Sequence, residues 1–109
     1  MKIEGVPFTT LDWASAPRTT SSGLRGTAVS RTLQLGDLRV RMVEYSPGYA
    51  ADHWCEKGHV LLVLEGELTT EVAGGQRHVL RAGTSYQVGD GVAPHRSSTE
   101  TGATLFIVD

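Results

Sequence analysis

His59-Val60-Leu61-Leu62-Val63-Leu64-Glu65-Gly66-Glu67-Leu68-Thr69-Thr70-Glu71-Val72 is the segment on which the fold turns. Its first six residues form a dense apolar run, too short for a buried helix and the right length for a strand. Glu65-Gly66-Glu67 interrupts the run and leads into Leu68–Val72, so the segment reads as two strands joined by a turn. Toward the carboxyl end, Gly74-Gly75 turns into Gln76–Leu80, Ala82-Gly83 precedes Ser85–Val88, and Thr104–Val108 makes a last strand. Toward the amino end, Ser46-Pro47-Gly48 closes a strand whose residues Leu38-Arg39-Val40-Arg41-Met42 alternate apolar and charged, as a half-buried strand does. Before it, Thr27–Leu35 runs into the hairpin signal Gly36-Asp37. No stretch repeats apolar residues at helical spacing over a useful length. Glycine makes up 13 of 109 residues, above the ~7% of an average chain, and nearly all fall at these breaks. The fold class is all-β and antiparallel, a sandwich or barrel.

Composition narrows what such a barrel can do. At 109 residues the chain is one domain, read as a barrel over 27–109 with an arm over 1–26. The arm is rich in small polar residues and is expected to pack Phe8 and Trp13 onto the body. Ten Lys+Arg against twelve Asp+Glu give a net charge of -2, a poor match for a nucleic-acid backbone. The longest apolar run, Val60–Leu64, falls far short of the roughly 20 residues that span a bilayer. The amino terminus lacks the pattern of a secretory signal. A single Cys cannot form an internal disulfide, so a reduced, cytoplasmic setting is the expectation. Neither nucleic acid nor membrane is therefore expected as a partner.

Three of the four His, at 53, 59 and 95, and the lone Cys55 carry the chemistry. In an extended strand residues two apart share a face, so His53 and Cys55 would project together, with Asp52 and Trp54 opposite. His59 shares parity with Leu61 and Val63, which puts it at the mouth of the interior if those two face the core. His95 follows Pro94 and the glycine-rich Gly89-Asp90-Gly91, a loop that an antiparallel barrel can bring to the same place. Imidazole and thiolate suit zinc first, with iron, nickel or copper as alternatives. The competing reading is a metal-free pocket whose imidazoles are satisfied by hydrogen bonds, with Cys55 a small buried hydrophobe.

The spacing resembles that of the cupin superfamily. Its first motif is Gly, five residues, His-x-His, three or four residues, Glu, six residues, Gly. Here Gly48 precedes His53-Trp54-Cys55 by four residues, His59 follows after three more, and Gly66 after six. The second motif is Gly, five residues, Pro-x-Gly, two residues, His; Gly83 and His95 match its ends, with Gly89 in the place of Pro and one extra residue before His95. The resemblance spans roughly 38–108. Asp52-His53-Trp54-Cys55 is also similar to the small cupins named for a motif of Asp, His, Cys and Trp, in a different order. The resemblance implies a double-stranded β-helix (jelly-roll) barrel and a metal held by His53, Cys55, His59 and His95, with Cys in place of one family His and His59 in place of the family Glu. It leaves two functions: a metal-dependent enzyme acting on a small polar organic molecule, or a non-catalytic binding or sensing module whose metal is structural or absent.

The remaining residues are read more plainly. Met42, Tyr45, Tyr86 and Phe106 are candidates for the pocket wall or for core packing. Glu44 continues the Leu38-Val40-Met42 face as a candidate inward carboxylate. Arg39 and Arg41 are expected on the solvated face of their strand, and His78 on the surface. Leu62, Leu64, Phe106 and Ile107 make strands apolar on both faces, which asks for a second covering surface and points to a homodimer.

Overall fold

The computed structural model describes residues 3–109. Eight antiparallel strands follow a short 3-10 turn at Trp13–Ser15: β1 Thr19–Ser22, β2 Thr27–Leu35, β3 Leu38–Tyr45, β4 His59–Val72, β5 Gln76–Arg81, β6 Ser85–Val88, β7 His95–Ser98 and β8 Ala103–Val108. No α-helix occurs among the described residues. The main path runs β1-β2-β3-β8-β4-β5, with β6 and β7 also paired to β4.

β4 is the hinge of this arrangement. Its first half pairs with β8 and β6, and its second half with β5 and β7. The expected turn at Glu65-Gly66-Glu67 does not form; the strand runs through it. Instead the register against β8 shifts between Val63 and Glu65, a bulge, and Gly66 adopts φ 80°. A bulge with a positive-φ glycine bends a strand without reversing it, so β4 crosses from one sheet to the other. The inward set changes parity there: His59, Leu61 and Val63 before the bulge, Leu68 and Thr70 after it are all buried.

The core is Ala28, Val43, Leu61, Val63, Leu68, Leu80, Ala103, Leu105 and Ile107. Its presence corrects the reading of β3. Val43 is 2% exposed and lies opposite Leu105, so the inner face of β3 is Arg39, Arg41, Val43 and Tyr45. Arg39 and Arg41 thus do not form a solvated face, and Glu44 is exposed. The outer face carries Val40 and Met42 opposite Val108 and Phe106, and both sides of the sheet are apolar. Alternation therefore could not say which side was in.

Two strands escaped the sequence reading. β1 lies within the stretch read as an irregular arm, pairing Thr19–Ser22 with β2. β7 begins at His95, which was assigned to a loop. The arm otherwise docks through Trp13, whose ring meets Phe106 edge-on at 6.4 Å and whose carbonyl accepts a hydrogen bond from Arg31. Phe8, expected to pack, is 98% exposed.

Candidate metal centre

Backbone pairing assembles the site at one end of the barrel. Cys55 N–H donates to the His95 carbonyl at 2.7 Å and His95 N–H returns a bond to the Cys55 carbonyl at 3.0 Å. This reciprocal bridge clamps the loop before β4 onto the start of β7. Gly58 N–H donates to Asp90 Oδ1 at 2.6 Å, and Gly91 N–H to the Glu56 carbonyl at 2.8 Å, closing the same two loops. A Cβ on Gly58 would lie 2.5 Å from the Asp90 nitrogen, so this approach requires glycine. His59 is the first residue of β4, with Val88 of β6 as its partner.

Cys55, His59 and His95 each offer a ligand atom, and the three atoms lie within 4.8 Å of one another. The imidazoles are buried, with His59 8% and His95 4% exposed. His95 Nδ1 is 2.8 Å from the Ala93 carbonyl, which can only accept, so Nδ1 carries the proton and Nε2 a lone pair. That lone pair faces His59 Nε2 at 3.0 Å. Tyr86 hydroxyl is 2.8 Å from the same His59 nitrogen. Burial, and after it the neighbouring His95, push the His59 imidazole down to about 4, so it is neutral at pH 7. Burial raises the Tyr86 phenol well above its ordinary value.

His53 is not brought to this cluster. Its side chain is 77% exposed and its Nδ1 pairs with Asp52 Oδ1 at 2.6 Å. The shared-face argument for His53 and Cys55 fails because the segment between β3 and β4 is bent, with only isolated bridges at Ala50 and Cys55. Trp54 is partly exposed beneath the Arg96 guanidinium, 4.3 Å from its ring centroid.

Three features were missed from sequence. Asp109 continues the inner face of β8 after Leu105 and Ile107, and its side chain is 1% exposed beside His59. Parity with Ile107 was the available signal. Arg39 and Arg41 reach it from β3. His78 is exposed, as expected, and what was missed is that it pairs with Thr70 across β4 and β5, shares the face of buried Leu80 and lines a cavity of about 520 Å³ together with Thr70, Val72, Tyr86, Val88 and His95. Its parity with Leu80 was legible. Of the other wall candidates, Tyr45 is half-buried against Tyr49, while Met42 and Phe106 face outward.

The donor set fits a divalent transition metal. Two imidazole nitrogens and a thiol converge in a buried pocket, and His95 is already in the tautomer that ligation requires. With three protein donors, a tetrahedral ion keeps one position for water or a small molecule.

No protein-family model matches this chain, and no curated protein does. Solved structures do. A predicted oxalate decarboxylase from Thermotoga maritima superposes with a TM-score of 0.78 over 92% of this chain and 96% of its own, at 14% identity. A sugar phosphate isomerase from the cupin superfamily, from Silicibacter pomeroyi, gives 0.73 over 92% and 74%, at 23% identity. A cupin-2 domain protein from Shewanella frigidimarina gives 0.60 over 73% and 78%, also at 23% identity. Likeness at this level of identity concerns architecture and says nothing of chemistry. Strand order, the two-sheet path of β4 and these superpositions agree: the chain has the jelly-roll fold of the cupin superfamily.

Proposed function

We propose that the chain binds a divalent transition metal, zinc first, through Cys55, His59 and His95, and that a small polar organic molecule occupies the adjoining cavity. The observation that carries this reading is the meeting of three donor atoms within 4.8 Å around buried imidazoles. His53, one of the four ligands expected from spacing, stays outside this set. When bound, the metal would act as a Lewis acid on an oxygen of the molecule beside it.

The chain's own residues would do the rest. Tyr86 hydroxyl and the exposed His78 imidazole offer hydrogen bonds from two sides of the cavity, and Val72, Val88 and Val92 supply an apolar wall. That lining holds no Lys, Arg, Asp or Glu. The bound metal would therefore be the only full charge facing the molecule. Among the described residues no helix is long and apolar enough to cross a membrane, and we take the cytoplasm, where Cys55 stays reduced, as its compartment. The outer apolar sheet face, including Val60 at 41% and Leu64 at 39% exposed, is read as the contact of a homodimer.

The test is metal analysis of untagged protein purified from zinc-replete cells. One zinc per chain is expected, lost in His95→Ala and Cys55→Ala. A chain that carries no metal and takes up none from added zinc would sink the metal reading and leave the non-catalytic pocket in its place. Sedimentation equilibrium on the same sample reads the homodimer, and a monomer at micromolar concentration removes it.

A further inference from the structure

A carboxylate lies buried against the one site nitrogen that has no partner. Arg39 Nε donates to Asp109 Oδ1 at 2.8 Å and its NH2 donates to Oδ2 at 3.0 Å, a two-pronged grip; Arg41 NH2 adds a third bond to Oδ2 at 3.1 Å. The backbones of Arg39 and Asp109 also exchange hydrogen bonds, at 2.7 and 2.9 Å, which fixes the base of the side chain. Asp109 Oδ2 then faces His59 Nδ1 at 3.5 Å. That nitrogen is buried and makes no hydrogen bond, a few tenths of an ångström short of one with Asp109.

Two arrangements of the His59 proton compete. With the proton on Nε2, the ring would bond His95, but a buried Nδ1 lone pair would face an anionic oxygen, which is repulsive. With the proton on Nδ1, N–H points at the carboxylate, and Nε2 accepts from Tyr86 hydroxyl at 2.8 Å. The second arrangement also brings two unprotonated imidazole nitrogens within 3.0 Å of each other, with only the one on His59 answered by the Tyr86 hydroxyl. A pair of that kind is unfavourable in an empty pocket and favourable around a cation. A buried ion network is costly when its only task is stability. This one sits where it can fix a tautomer.

We infer that Asp109, clamped by Arg39 and Arg41, is a positioning residue: it holds His59 with its proton on Nδ1, so that Nε2 presents its lone pair to the same point as His95 Nε2 and the Cys55 sulfur. The inference rests on the metal reading above and adds the group that orients one ligand. Such outer partners fix the orientation of ligating imidazoles and raise their basicity.

The first measurement is long-range proton–nitrogen NMR on the unaltered, zinc-free chain. The expected pattern is a protonated-type shift for His59 Nδ1 and an acceptor-type shift for Nε2; the reverse pattern overturns the inference. The second is zinc affinity by competition with a chromophoric chelator. Asp109→Asn is expected to weaken binding by about ten- to a hundredfold, with Asp109→Glu recovering part of the loss. A carboxylate that only stabilised the barrel would lower the melting temperature of Asp109→Asn and leave the zinc affinity of its folded form unchanged, and that result also overturns the inference. Should Asp109→Asn fail to fold, the NMR measurement decides alone. If the unaltered chain takes up no zinc, the metal reading fails, and the tautomer of His59 still reports on Asp109.

Discussion

His95 and His53 are the same residue type in the same proposed constellation, and they differ in how their backbones are held. His95 has its ring fixed by the Ala93 carbonyl and its main chain fixed by Cys55. His53 sits on a bend, exposed, and pairs with its neighbour Asp52. Removing His95 takes away an oriented donor of the proposed site; removing His53 takes away a solvated side chain and a surface ion pair worth little. His95→Ala should therefore weaken zinc binding by roughly a hundredfold or more, beyond what loss of an outer partner costs. His53→Ala should stay within about twofold of the unaltered chain, because nothing links it to the cluster. Chelator competition on both variants checks this, and a large loss in His53→Ala would restore it to the ligand set. Residue type and spacing made Cys55, His59 and His95 legible as one cluster, since few other roles bring a thiol and two imidazoles together. For Asp109 the one signal was its parity with Leu105 and Ile107, and nothing in the pattern named its role, because the arginines that hold it were hidden by a strand whose other face is also apolar.

β4 shows why strand content was easy to read and strand connection was not. The apolar runs on either side of Gly66 announce two strands, and glycine between them normally announces a turn. Whether the chain reverses there depends on a register shift set by β8, a partner some forty positions away. β1 and β7 were invisible for a related reason. Thr19-Thr20-Ser21-Ser22 and His95-Arg96-Ser97-Ser98 have little apolar alternation and become strands by pairing, the second helped by a Thr70–Ser97 hydroxyl bond at 2.8 Å. The bulge can be tested directly. Gly66 has φ 80°, and a Cβ there would stand 2.1 Å from the Gly102 carbonyl oxygen. Gly66→Ala adds about 1–2 kcal/mol of left-handed backbone strain and a further ~1–3 kcal/mol for displacing the facing strand. Thermal unfolding should show a melting temperature lower by ten degrees or more. Gly48→Ala is the control: its φ is also 80°, but no atom lies within 4 Å, so only the strain remains.

The barrel as a unit packs three partly buried tyrosines, Tyr45, Tyr49 and Tyr86, against one core. Tyr45 stacks on Tyr49 with ring centroids 4.0 Å apart and planes 14° from parallel, against the core. Burial, and after it the neighbouring Tyr49, raise the Tyr45 phenol far above its ordinary value of 10.0. The consequence for stability has a definite sign. In the unfolded chain Tyr45 loses its proton near pH 10, while in the folded chain it keeps it. Above that pH the unfolded state binds fewer protons than the native one, so stability falls as pH rises. Below pH 10 both states are protonated and the group contributes no slope. The slope from this one tyrosine approaches about 1.4 kcal/mol per pH unit once the unfolded form is ionised. Chemical denaturation of the full chain at intervals from pH 8 to 11 should therefore show a plateau and then a decline beginning near 10. Tyr45→Phe removes the ionisable group and keeps the ring stacked on Tyr49, so its decline should be shallower even if its plateau is lower. Parallel curves for the two proteins would mean that Tyr45 ionises as easily folded as unfolded, and that the barrel around it is open to water.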